Sequence, residues 1–215
     1  VFTNNHQGEL IALYAAMGGQ EEAEYVALTA KGLIKNGASP SDIAILFRTN
    51  FQSRSLEEAF INYGVPYQML GTKFFGRREI KDVLSYLRFA FNPSSTNDLT
   101  RIINTPARGI GKVTLLKVVE GKREELPLKT REKVDAFYAL IEEIAEYATS
   151  HPIHETLAFI IRKSGIEDEF KHGGEEGLER LENVRELVSL GTKYAEYDPE
   201  TAIEHLLEDS ALGSD

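Results

Sequence analysis

No cysteine occurs among the 215 residues, so a disulfide framework, a thiolate metal site and a cysteine nucleophile are all excluded. Such a composition suits a reducing, cytoplasmic setting. Long apolar runs are missing too. The longest, such as Ile43–Phe47, fall far short of a membrane span, and no basic stretch leads into an apolar core at the N-terminus as an export signal would. Of the five histidines, His151 and His154 are three apart, but no third ligand stands at a recognisable spacing, so no metal site is read. Neither Glu175-Glu176 nor the acids of 120–125 form an acid/base pair, and no catalytic residue is assigned. A phosphate-binding P-loop is absent as well. Five positions before Gly111 stands Pro106 rather than glycine, and Val113 rather than a hydroxyl residue follows Lys112.

What is present is a globular composition, 42% hydrophobic and 27% charged, enough for one large domain or two small ones. The net charge of -10 is unevenly placed. Residues 1–93 hold nine Lys+Arg and nine Asp+Glu, whereas 94–215 hold 15 and 25. Within the second stretch, 100–133 carries nine bases against four acids and 134–215 carries six against 20. A basic island thus precedes an acidic tail. The island can face an anionic partner, and the tail reads as solvated surface.

The same boundary separates two structural styles. Before Pro93, short apolar runs alternate with helical periodicity: strands at 9–15, 43–47 and 67–70, and helices at 21–35, 53–63 and 79–91. Such alternation predicts a parallel sheet, here a thin one with part of its layer missing. Beyond Pro93 every periodic segment reads as helix: 99–104, 113–119, 134–147, 153–164, 177–197 and 199–212. The expected fold class is therefore α/β plus all-α, with a partial parallel sheet layer over 1–92 and a helical domain over 93–215.

Between two of those helices lies Arg108-Gly109-Ile110-Gly111-Lys112. A glycine pair lets the backbone turn with positive φ and approach a partner closely. The helix that starts near Lys112 offers unpaired N–H groups and a positive dipole end to an anion. Ile110 would anchor the turn in the core while Arg108, Lys112 and Thr114 flank a phosphate, the logic of a helix-hairpin-helix. The competing reading is a plain interhelical turn.

Taken in order, Ile43-Ala-Ile-Leu-Phe-Arg-Thr-Asn-Phe-Gln-Ser-Arg54, Gly64-Val-Pro-Tyr67, the block from Gly71 to Arg88, Asn92-Pro93 and the block from Arg101 to Gly111 resemble the UvrD/Rep/PcrA family of superfamily 1 DNA helicases. The resemblance implies a piece of a motor: the first part of RecA-like motor domain 2A over 1–92 and its inserted helical domain 2B over 93–215. A chain that begins at Val1 rather than Met fits a fragment. It implies further that Arg48, Thr49 and Asn50 touch single-stranded DNA, at the carboxyl end of the strand 43–47 where open α/β sheets place ligands. Asn50 as a helix cap and Arg48 paired with Glu57 or Glu58 is the structural alternative. The Gly109–Gly111 turn, with Arg108, Ile110, Lys112 and Thr114, is implied to contact the duplex without sequence preference. For Phe74 and Phe75 a packing role is favoured over a stacking platform.

The parent would be an ATP-dependent 3′-to-5′ helicase using ATP and Mg²⁺, whose ATP loop and catalytic acids lie in a first motor domain. This fragment holds no cofactor and is expected to be inactive alone. Its expected partners are single-stranded and duplex DNA, the remaining helicase domains, and a regulatory protein on the helical domain, with no membrane. Two alternatives stand beside this: a helicase–nuclease subunit sharing the same blocks, and a protein-docking module acting through the acidic helices of 134–215.

Overall fold

The computed structural model describes residues 10–47, 52–69 and 73–212, which fall into two compact units. The first unit combines 10–47 with 52–68 and contains helices α1 (Gly19–Lys35) and α2 (Gln52–Asn62). Ala23, Ala27 and Ala30 recur at helical spacing along α1 and are buried with Ala59, Phe60 and Val65. Small side chains on that stripe let the two helices pack closely. Glu21 and Glu22 in the first turn of α1 and Lys35 in its last complement the helix dipole.

The parallel sheet expected in this region is not there. Among the described residues there is no strand and no ladder. Segment 43–46 has the alternation of a strand: Ile43 and Ile45 turn towards the small core while Ala44 and Leu46 face outward. Yet no segment among the described residues pairs with its backbone. A strand is a non-local object whose stability comes from cross-strand partners, so a period-2 pattern without a partner gives only extended chain. Residues 10–15 show the same outcome, with Leu10, Ile11 and Leu13 almost wholly exposed. Glu9 and Leu70, at the edges of two expected strands, lie outside the described residues.

Among the described residues the second unit takes in Met69 and 73–212. It comprises α3 (Arg78–Phe91), α4 (Thr96–Ile102), α5 (Lys112–Val119), α6 (Leu128–Ala148), α7 (Ile153–Ser164), α8 (Ile166–Lys171), α9 (Gly174–Gly191) and α10 (Pro199–Leu212). Helix α3 is its axis. Ile80, Val83, Leu84, Leu87 and Phe91 recur along it at helical spacing; it buries the first four together with Tyr86, Phe89 and Ala90 and leaves Phe91 half exposed. The helix is buried around most of its circumference, Glu79, Asp82 and Ser85 included, and α4, α6, α7 and α9 pack against it.

Polar groups at its flanks are matched. Asp82 meets Arg101 at 2.7 Å and Arg88 meets Asp98 at 3.1 Å, so two ion pairs fasten α3 to α4. Ser95 caps α4, accepting from the Asp98 amide at 3.3 Å. At the start of α3, Arg77 donates to Asn183 Oδ1 at 2.9 Å and Asn183 donates to Glu79 Oε1 at 2.6 Å, which ties α3 to α9 through buried groups. Phe74 and Phe75, edge to face at 5.2 Å, pack on this same core.

Candidate nucleic-acid interface

Residues 103–111 connect α4 to α5 and carry the glycine-rich turn. Ile110 is 3% exposed and sits in the helical core, anchoring the loop from within. The side chain of Asn104 braces it from the other side: Oδ1 accepts from the Arg108 amide at 2.8 Å and from the Ile110 amide at 3.1 Å. Asparagine before a glycine turn is a familiar backbone brace, and that signal was legible in the sequence although no role had been assigned to Asn104. Gly109 adopts φ +72°, where a side chain is strained, whereas Gly111 is extended at φ -82°, ψ 173° and occupies the N-cap of α5. Only one of the two glycines therefore serves the bend by a left-handed conformation.

Arg108 does not face solvent as expected. Its guanidinium donates to four oxygens: Ile102 O (3.2 Å), Pro106 O (3.1 Å), Ser164 O (3.0 Å) and the Tyr86 hydroxyl (2.6 Å). The same group lies 5.6 Å from the Phe137 ring centroid. A planar fork of five donors suits this cluster of oxygens, so the half-buried Arg108 fastens the loop to α3 and α7.

Tyr86 completes the fastening by donating to Thr105 O at 2.6 Å. Burial pushes its pKa up to about 12, with Arg108 opposing the rise. Because the folded value lies above the unfolded one, this stabilisation is complete below about pH 10 and is lost as pH rises towards 12, a change on the order of 2 kcal/mol. Urea denaturation across that window is expected to show the decline, and Tyr86→Phe to flatten it.

The outer surface of the turn is open. Gly109, Gly111, Lys112 and Val113 are exposed, Thr114 is half-buried, and a Cβ on Gly111 would meet nothing within 4 Å. The first internal amide bond of α5 is Leu115 N to Gly111 O at 3.0 Å, so the amides at its start remain available to an acceptor. A Cβ on Gly109 would fall 2.8 Å from the Nζ of Lys133, which places an α6 ammonium against this turn. Sequence reasoning counted Lys133 in the basic island but gave it no role, since 24 residues of chain separate it from Gly109. Arg48, Thr49 and Asn50 lie outside the described residues.

All 215 residues match the family model of the UvrD-like helicase C-terminal domain. The chain belongs to that family. It is 36% identical over 234 aligned positions to the ATP-dependent DNA helicase PcrA of Staphylococcus aureus (strain Mu50 / ATCC 700699), with all of this chain and 32% of that protein covered. The ATP-dependent DNA helicase PcrA of Staphylococcus epidermidis (strain ATCC 12228 / FDA PCI 1200) is 35% identical with the same coverage. This UvrD-like domain thus spans about a third of the length of the curated relatives it matches. No helix among its described residues is long and apolar enough to cross a membrane.

Proposed function

We propose that this chain is part of an ATP-dependent 3′-to-5′ DNA helicase, with 1–92 as the first part of motor domain 2A and 93–215 as the inserted helical domain 2B. In this reading the Gly109–Lys112 turn holds the sugar–phosphate backbone of a duplex, and Arg48, Thr49 and Asn50 contact the single strand. The observation that carries the duplex contact is the open start of α5. The amides before Leu115 have no intrahelical acceptor, Gly111 leaves space where a side chain would stand, and Ile110 and Asn104 brace the turn from within. Contact of this kind reads backbone rather than sequence. Arg108 positions the turn instead of touching the DNA.

The described residues contain no group of three or more His, Asp or Glu suited to a metal, and no window of the sequence has the P-loop pattern. In this reading ATP and Mg²⁺ are held by other domains of the parent rather than by this chain's own residues. Nucleotide chemistry belongs to other domains of the parent, which works in the cytoplasm and advances along one strand while this domain grips the duplex ahead.

Fluorescence anisotropy with a short labelled duplex tests the contact. With two or three phosphates engaged, the slope of log K against log salt is expected at about -2 to -3, and the dissociation constant at about 10–100 μM at physiological salt. Gly111→Val fills the approach and Lys112→Glu reverses its charge, so each is expected to weaken binding at least about tenfold at low salt. Unchanged affinity in both variants would reject the site.

A further inference from the structure

The basic island is less available than its sequence suggests. Lys117 pairs with Glu125 at 3.4 Å, Lys122 with Glu120 at 2.7 Å, Arg131 with Glu124 at 2.8 Å, and Arg123 with Asp135. Arg101 is held by Asp82 and Arg108 by backbone carbonyls. Of the nine cations, Lys112, Lys129 and Lys133 then remain with neither an acidic partner nor a set of carbonyls among the described residues. All three are exposed. Lys133 stands against Gly109, and Lys129 lies one turn earlier on the same face of α6.

From this we infer that α6 supplies a second wall of the duplex site, with Lys133 and Lys129 contacting phosphates beside the turn. The inference rests on the proposed duplex contact and adds to it the residues that set its charge. Like charges at Lys129 and Lys133, four residues apart, disfavour each other on an isolated helix, and a phosphate rail relieves that repulsion. An anionic backbone is the class of ligand that fits: it is acceptor-only, and it meets outward amides and ammonium groups together. Gly109 matters here for a reason separate from its φ. A side chain at that position would displace Lys133 from the turn.

The experiment is the same anisotropy titration, run between about 50 and 200 mM salt on the 215-residue chain. Lys133→Ala is expected to reduce the magnitude of the salt slope by about 0.9, and the Lys129→Ala/Lys133→Ala double variant by about 1.8. Lys133→Arg should keep the slope, and Lys117→Ala, which removes a cation already paired, should leave it within error. Thermal unfolding of each variant is expected to match the unsubstituted chain because these side chains are exposed. If Lys133→Ala keeps the full slope while Lys112→Glu binds weakly, the second wall is overturned and the duplex contact stands. If Lys112→Glu and Gly111→Val also bind normally, the duplex contact itself has failed. A loss of affinity in Lys133→Ala at constant slope would mark a structural role and equally overturn the inference.

Discussion

Arg108→Ala is expected to lower the unfolding free energy by about 3–4 kcal/mol, the largest effect of any single change in the glycine-rich loop. The substitution leaves Pro106 O and Ser164 O without the donor they share, leaves Ile102 O with the Thr105 amide alone at normal distance, and strips the Tyr86 hydroxyl of its cation. Buried acceptors left unmatched cost more than the bonds themselves contribute. Arg108→Lys should recover less than half of the loss, because one ammonium cannot reproduce a planar fork directed at four oxygens. Urea denaturation measures the stability change, and the duplex titration separates the two roles available to Arg108. As a positioning residue, it should affect duplex affinity at an unaltered salt slope. A variant of normal stability whose slope drops by about 0.9 would instead place Arg108 on a phosphate and contradict the fastening described here.

The second large effect is expected at Phe137, where alanine should cost about 3–5 kcal/mol. Its ring is 1% exposed and packs with Tyr138 at 5.6 Å, Phe89 at 6.1 Å and Tyr86 at 6.4 Å between centroids. Removing it opens a cavity at the meeting point of α3 and α6 that fixed helices cannot close. Because the Arg108 guanidinium lies 5.6 Å from this ring, the two substitutions share a partner. The double variant Arg108→Ala/Phe137→Ala should therefore lose at least about 1 kcal/mol less than the sum of the singles. Additivity within about 0.5 kcal/mol would show that the ring and the guanidinium act independently.

Two other groups at the α3–α4 junction differ in sign for a physical reason. Burial raises the pKa of Asp82 in spite of Arg101 and Arg78. At Asp98, burial also pushes upward, but the hydroxyls of Ser95 and Ser85, together with Arg88, hold the carboxyl below its usual value. Asp98 thus adds stability above the normal carboxylate range that is lost in acid, whereas Asp82 gains none by remaining ionised.

Local pattern carried much of this chain. Period-3.6 repeats placed α7 and α10 at their observed ends, and placed α1, α2, α3 and α5 within two residues of theirs, because an amphipathic helix writes its buried face into every turn. Ile110 as anchor was equally legible, being the one apolar residue between two glycines. The six-residue α8 was not. Gly177, taken as the start of a helix, lies inside α9, where a Cβ would come within 2.3 Å of Phe170 O, an approach that only a fold can create.

By itself the sequence determined the family, through ordered blocks of residues, and the helical periods of the second unit, since both are written in consecutive positions. Tertiary structure alone decided that the alternating apolar segments of the first unit form no ladder among the described residues, because a ladder depends on a distant neighbour. It also decided which cations of the basic island are free. Arg108 and Lys133 look alike as charges in a string, but one is enclosed by carbonyls from three parts of the fold and the other stands exposed beside Gly109, and that difference arises from packing rather than from residue type.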